Sequence, residues 1–387
     1  MSEFRVPVVR ITIEPHPNAD AIEIARVGDF QSIVKKGQFK DGDLAAYLPE
    51  AALLPEGVLR ALDMWDHANN RGKLHGAAGN RVKAIKLRGV LSQGIIYPLE
   101  RRNYHPDVPE RELDGWSVEI MDGCGSEADV DEGDDVAEHL RVTKYEPTVP
   151  AHMAGKAIGA NLDITHKYDF DNIKAHPHLF VDGEDVVMTE KIHGTLVQII
   201  CVPESMANEK FYKRRVCITS KGLGGRGIIL DHTDETNVYA QAVTKHRLLD
   251  KWLRACELTQ GDEPMLFGEV YGAGIQDLGY DSKLEFRAFD MCVGVRDKAE
   301  FADYDTFEET AKFHGIPTVP IFYRGPFFPA VVKRFTDGDT TLGGGSHIRE
   351  GIVVKSAVEA RHPRYGRKIA KSVSEAYLLR KNATEFN

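Results

Sequence analysis

Glu190-Lys191-Ile192-His193-Gly194-Thr195 sits between two apolar runs, Val186-Val187-Met188-Thr189 and Val197-Gln198-Ile199-Ile200-Cys201-Val202. Both runs are short and rich in β-branched residues, which reads as two strands joined by a turn. The turn holds a lysine, and a lysine becomes a nucleophile only after losing its proton. Near neutral pH that takes a nearby cation, a metal or desolvation. Gly194 lets the backbone turn and a phosphate approach closely. Alone, a K-x-x-G match more often marks a surface lysine in a β-turn, so the weight falls on what surrounds it.

Five further segments follow downstream. Ser220-Lys221-Gly222, continued by Leu223-Gly224-Gly225-Arg226-Gly227, is a Gly-rich loop suited to phosphates, but it lacks the residue order of a P-loop. In Phe267-Gly268-Glu269-Val270-Tyr271-Gly272 a carboxylate lies inside an apolar strand. That is costly unless it is paired or bound to a metal or hydroxyl, so Glu269 is a candidate for a ribose hydroxyl or a metal-bound water. In Phe286-Arg287-Ala288-Phe289-Asp290, period-two alternation puts Phe286, Ala288 and Asp290 on one face and Arg287 and Phe289 on the other. One ring then stacks on a base while the other enters the core. Glu350-Gly351-Ile352-Val353-Val354-Lys355 puts Val353 and Lys355 on one strand face. Lys368-Ile369-Ala370-Lys371 comes last. Each segment also has a plainer reading as a loop, apolar packing or a snorkelling surface lysine.

Upstream, residues 1 to about 120 read as short strands punctuated by Gly and Pro turns, such as Val8 to Ile13, Ile22 to Val27 and Leu44 to Leu48. That pattern suggests a small β-barrel. The stretch from Asp122 to Glu138 is acidic and carries several glycines, and Pro147-Thr148-Val149-Pro150 follows shortly after it. These features predict a barrel domain over 1–121, a linker over 122–165 and a mixed α and β domain over 166–387. Asn237 to Cys256 is the clearest helix. Phe307 to Phe313 is another, ended by Gly315 and Pro317.

The chain has 387 residues, 42% hydrophobic and 28% charged, with a net charge of -10. No stretch is apolar for long enough to span a membrane, and the first residues lack the pattern of a secretory signal. The 5 cysteines are widely spaced with no C-x-x-C pair, which fits reduced thiols in the cytoplasm, neither a disulfide frame nor a zinc site. The acidic total argues against a protein that coats nucleic acid non-specifically, though not against an enzyme with a local basic surface.

Weak singly, the six segments are telling in their order over residues 190–371. The chain resembles the covalent nucleotidyltransferase superfamily of ATP-dependent ligases and RNA capping enzymes. Within it, Lys191-Ile192-His193-Gly194, Arg349-Glu350-Gly351 and Ser372-Val373-Ser374-Glu375-Ala376-Tyr377-Leu378 look most like RNA ligases of the Deinococcus type, which carry an N-terminal OB domain. Pro15-His16-Pro17-Asn18-Ala19-Asp20 and Leu87-Arg88-Gly89-Val90-Leu91-Ser92-Gln93-Gly94 also resemble OB-type tRNA-binding domains. Two departures stand out: the last lysine motif is K-x-x-K instead of K-x-K, and Gly222 follows Lys221 directly.

The resemblance implies an α+β protein: an OB-like β-barrel, then a mixed α/β nucleotidyltransferase (ATP-grasp-like ligase) domain. Lys191 would attack the ATP α-phosphate, AMP would pass to a nucleic-acid 5′-phosphate, and a 3′-OH would then displace AMP at a nick in an RNA-containing duplex. Glu190, His193, Gly194, Lys221, Glu269, Phe286, Val353, Lys355 and Lys371 would form the nucleotide site, with Phe286 and Val353 around adenine and Lys355 and Lys371 on the α-phosphate. Glu350 and Glu269 would hold waters around Mg²⁺ or Mn²⁺. The role of Lys368 stays open. RNA would run over two basic stretches, Lys210 to Arg215 and Arg361 to Lys371. The competing readings are a DNA ligase, a capping guanylyltransferase and a non-catalytic nucleic-acid-binding protein.

Overall fold

The computed structural model describes residues 4–101, 115–119, 121, 126–146, 151–202, 216–258, 264–280, 283–294, 298–345 and 347–380. The basic stretch Lys210 to Arg215 lies outside them. The chain divides into two compact units, Glu3–Glu146 and Pro147–Asn387.

The first unit is built from short antiparallel strands. They are β1 (Val8–Arg10), β2 (Thr12–Pro15), β3 (Ile22–Val27), β4 (Phe30–Lys35), β5 (Leu44–Leu48), β6 (Ile85–Leu87), β7 (Val90–Ser92), β8 (Ile95–Pro98), β9 (Trp116–Glu119) and β10 (Glu127–Val130). β5 lies between β1 and β8, β2-β3-β4 form a meander, and β6 and β7 form a hairpin. Every residue of β5 is buried. Leu44, Ala46 and Leu48 enter one apolar cluster and Ala45 and Tyr47 another, as strand alternation requires. The hairpin turns at Arg88 and Gly89, both with positive φ (47° and 86°), the backbone that a tight two-residue hairpin loop needs. The Pro15–Asp20 turn clamps this tip: Asn18 Nδ2 donates to Arg88 O at 2.9 Å, and His16 Nε2 lies 3.3 Å from Leu87 O.

The structure corrects the linker expected over 122–165. Val130, Val136, Leu140 and Val142 are buried in the first unit's core. The acidic residues between them satisfy the N-terminal strand, with Val6 N–H donating to Asp135 Oδ1 and Val8 N–H to Asp134 O, each at 2.8 Å. Apolar residues spaced through an acidic run decided the outcome, not its net charge. By Ala157 the chain is already part of the second unit's sheet.

That unit holds β11 (Ala157–Ala160), β12 (Asp185–Lys191), β13 (Thr195–Cys201), β14 (Val216–Ser220), β15 (Ile228–Leu230), β16 (Met265–Tyr271), β17 (Glu285–Val293), β18 (Glu300–Phe301), β19 (Ile321–Pro326), β20 (Gly351–Ser356) and β21 (Ile369–Val373). A seven-stranded sheet runs β11-β15-β14-β13-β16-β17-β18, and a four-stranded sheet runs β19-β12-β20-β21. Helices α1 (Val238–Lys245), α2 (Leu248–Leu258) and α3 (Tyr304–Phe313) cover one face of the larger sheet through Tyr239, Trp252 and Phe307. Its other face meets the smaller sheet through Leu196, Phe267, Cys292 and Ile369. The outer face of the smaller sheet packs on α4 (Pro329–Thr336) through Val332.

Two sequence expectations change in detail. The helix expected over Asn237 to Cys256 is two helices, capped by Asn237 and broken at Arg247, whose φ is 55°. More consequential is β17. Phe267 pairs with Asp290 and Gly268 with Ala288, so Phe289 is an extra residue in a β-bulge. The bulge reverses the alternation: Phe286 and Ala288 face the helices, whereas Asp290 and Cys292 face the smaller sheet.

Candidate active site

Strand alternation aims the residues around Lys191. At the end of β12, Lys191 and Glu190 point to opposite sides. Lys191 Nζ meets Glu350 Oε1 at 2.6 Å. Glu190 is buried and accepts hydrogen bonds from the hydroxyl of Thr340 and from the N–H (3.1 Å) and hydroxyl (2.8 Å) of Thr341. Glu190, expected in the nucleotide site, instead anchors the loop after α4.

The turn after Lys191 is fixed by packing. A Cβ on Gly194 would sit 2.3 Å from Val270 O and 2.8 Å from Glu269 Cγ. Glycine is required here because β16 passes against the turn, and the same contact brings Glu269 to Lys191. His193 is buried and heavily tied. Its N–H donates to the Tyr280 hydroxyl at 2.6 Å, Nε2 lies 2.9 Å from Asp277 Oδ1, and Nδ1 lies 2.9 Å from the Tyr377 hydroxyl and 3.7 Å from Glu350 Oε2. Arg380 completes the group, with Nε 2.7 Å from Asp277 Oδ2.

Charge couples these residues. Burial opposes the ammonium of Lys191, but Glu350, Glu269 and Asp169 outweigh it and raise its pKa. Burial also raises Glu269, which reaches about 7 with Glu350 adding to the shift and Lys191 and Lys221 opposing it. Against the same burial, Lys191 and His193 hold Glu350 down at about 2. Burial lowers Lys371 to about 8, with Lys191 and Lys221 lowering it further. Lys221 reaches Asp169 Oδ1 at 3.3 Å. Val353 pairs across the sheet with Lys371 and packs on the apolar face between the sheets. Lys191, His193, Gly194, Lys221, Glu269, Val353, Glu350 and Lys371 therefore converge.

Besides Glu190, two expected members, Phe286 and Lys355, do not. Phe286 is 1% exposed, in the core under the helices. Its ring lies where a Cβ on Gly268 would come within 2.2 Å. Phe289, placed by the bulge, packs instead between Tyr168 and the cluster that contains Ile192 and Tyr271. Lys355 is held by Asp290 at 2.8 Å and by the carbonyl of Ala302 at 3.0 Å. Asp290 is fully buried and also takes Arg367 at 2.6 Å and the Tyr168 hydroxyl at 2.8 Å. Lys368 pairs with Glu184 at 2.5 Å. Of the basic residues from Arg361 to Lys371, Arg361 and Arg364 remain on the surface. Asp169, Asp277 and Arg380 escaped the sequence reading, which took in Tyr377 only as part of the Ser372 to Leu378 segment and Phe289 only as one of two rings on the aromatic strand.

Among the described residues, no group of three or more His, Cys, Asp and Glu is arranged to hold a metal. The donor set is a pair, Glu269 and Glu350; burial raises the pKa of Glu269 and repulsion from Glu350 adds to it. Such a pair fits a hard cation that keeps most of its shell as water and phosphate oxygen.

Residues 184–373 match the family model described as RNA ligase. The chain carries an RNA ligase domain. Residues 6–99 match an OB-fold domain model, so an OB-fold domain precedes the ligase domain, as the resemblance implied. No curated protein matches the chain by sequence. Solved structures of Naegleria gruberi RNA ligase share its fold. One is a lysine-to-alanine mutant with ATP and Mn, with a TM-score of 0.72, 21% identity and coverage of 97% of this chain and 98% of that chain. A second, with PPi, has a TM-score of 0.72, 21% identity and the same coverage, 97% and 98%. A third, a lysine-to-methionine mutant with AMP and Mn, has a TM-score of 0.72 and 21% identity and covers 96% and 97%.

Proposed function

We propose that the protein is an ATP-dependent RNA ligase that seals a 3′-OH to a 5′-phosphate at nicks in RNA-containing duplexes, with Lys191 as the residue that takes up AMP. The observation that carries this reading is Lys191 in a pocket of opposed charges, on Glu350 and within electrostatic reach of Glu269 and Lys371. The matched ligase domain and the solved ligases bound to ATP or AMP with Mn support it.

The chemistry follows from proton and charge placement. With both carboxylates facing it, Lys191 keeps its proton and is a weak nucleophile. Glu269 and Glu350 would hold a divalent cation, which would supply positive charge in competition with Lys191. Once its proton has passed to solvent, the Lys191 amine attacks the α-phosphorus, and the bond to pyrophosphate breaks as the phosphorus–nitrogen bond forms. Lys371 and Lys221 neutralise the charge that builds on the phosphoryl oxygens; such positioning and charge compensation dominate phosphoryl transfer. Val353 and Phe289, on the inter-sheet side, flank the purine. His193, fixed by Asp277 and Tyr377, orients Glu350. The described cysteines are free thiols, in keeping with a reducing compartment such as the cytoplasm.

The test is to incubate the protein and a Lys191→Ala variant with ATP labelled at the α-phosphate and with Mg²⁺ or Mn²⁺, then denature. Label on the wild type alone, followed by sealing of a nick with an RNA 3′ end, supports the reading. Label from GTP and not from ATP turns it to capping, and sealing confined to DNA 3′ ends turns it to a DNA ligase.

A further inference from the structure

From His67 to Leu99 the chain contains no aspartate or glutamate, whereas Arg71, Lys73, Arg81, Lys83, Lys86 and Arg88 all fall in it. With 59 acidic residues in 387, a stretch of 33 would carry about five. In a protein of net charge -10 this is a local reversal of sign. It lies on the first unit and includes the β6–β7 hairpin, whereas the candidate active site is built from residues of the second unit.

We propose that the β6–β7 hairpin, with the segment leading into it, binds the phosphate backbone of RNA. β6 is an edge strand, paired to β7 alone, and all three of its residues are exposed. Lys86 lies on it, Lys83 precedes it and Arg88 forms its tip. Between the cations, Ile85 and Leu87 remain 38% and 37% exposed, apolar surface that can pack on a sugar or base edge. The local field is positive enough to act on a neighbour: burial lowers the pKa of His75, and Lys83 and Arg81 lower it further. The hairpin is also held in shape. His16 and Asn18 clamp the tip, and Gln31 and Ser92 tie β7 to β4, through Gln31 Nε2 to Leu91 O at 2.7 Å and Ile33 N–H to Ser92 Oγ at 2.9 Å. Lysines on an edge strand also discourage strand pairing, but edge protection needs one or two cations, not 33 residues cleared of acids. A rigid cationic ridge with exposed apolar side chains matches a polyanion that also offers apolar faces. That the polyanion is RNA rests on the ligase reading above.

The test measures the affinity of the full chain for a labelled nicked RNA duplex by fluorescence anisotropy across a salt series. The proteins are the wild type, a combined Lys83→Ala, Lys86→Ala, Arg88→Ala variant and a combined Ile85→Ser, Leu87→Ser variant, each with ATP self-labelling and thermal melting measured alongside. The triple variant is expected to lose affinity about tenfold or more. Its log K against log salt slope should flatten by about 2 to 3, since each duplex phosphate contact contributes roughly 0.9. Melting and self-labelling should hold. The apolar variant should weaken binding with the slope kept. Unchanged affinity and slope in the triple variant overturn the proposal, as does unchanged RNA binding with lost adhesion to anionic phospholipid vesicles. If the wild type binds RNA through the hairpin but takes no label from ATP, the ligase reading fails and the binding surface stands.

Discussion

Glu269 and Glu350 share one site yet titrate on opposite sides of an ordinary carboxylate, at about 7 and about 2. Burial raises both; at Glu350 the hydrogen bonds and charges of Lys191 and His193 overcome it, whereas at Glu269 Lys191 and Lys221 offset it only in part and Glu350 adds repulsion. A carboxyl with a raised folded pKa favours its neutral form, so Glu269 withdraws stability as pH climbs from about 4.5 to about 7. Glu269→Gln is therefore expected to raise Tm at pH 8 by about 2–6 °C while cutting adenylation, read by melting and label uptake. Glu350 works the other way, giving stability above about pH 4.5 that is lost as pH falls through about 2. His193 has its pKa raised by Asp277 and Glu350 against burial and Arg380. Its imidazole should titrate above 6.5 by NMR and shift down in Asp277→Asn. Lys191, Glu269, Glu350 and Lys371 were legible in the sequence because ordered motifs carry them. Asp169 and Asp277 were not: each is an isolated acid in a loop, and only folding gives it a lysine or histidine to meet.

At the scale of the element, the bulge in β17 decides which phenylalanine does what. Phe286 fills the helix-side core, so Phe286→Ala should destabilise by about 3–5 kcal/mol and leave nucleotide affinity in the surviving fold unchanged. Phe289→Ala should weaken ATP binding severalfold at a smaller stability cost; equal effects on binding would refute the assignment. Alternation in a sequence cannot reveal a bulge, because the inserted residue is defined only by its partner strand. Hence the expected pairing of faces held up to Ala288 and reversed beyond it. The neighbouring Asp290 illustrates the same limit. It reads as the end of an aromatic strand, but in the fold it joins Lys355, Arg367 and Tyr168. Asp290→Asn would leave two cations buried without their carboxylate, and a loss of about 3–5 kcal/mol in chemical denaturation is expected. Lys355 had looked free for phosphate because its carboxylate comes from a strand 65 residues away.

For the whole molecule, each unit has its own apolar clusters, and all the residues that converge on Lys191 come from the second. Residues 147–387 alone are thus expected to take up label from ATP, with RNA affinity reduced relative to the full chain. A fragment that folds by circular dichroism yet takes no label would show that the first unit takes part in the first chemical step. The barrel-then-mixed-domain order was readable from turn spacing and motif order. The boundary was not, since Val136, Leu140 and Val142 are few among many acids and only their burial reveals which core they join.

The anchoring of β12 has a consequence for synthesis on the ribosome. Glu190 waits for Thr340 and Thr341, Lys191 for Glu350, and His193 for Tyr377. Lys191 leaves the ribosome well before them, since Thr340, Thr341, Glu350 and Tyr377 follow their partners by about 150 residues or more. A nascent or prematurely released chain that ends before β20 would therefore expose Lys191 without Glu350, and under the proposed mechanism such a chain is expected to take up no AMP.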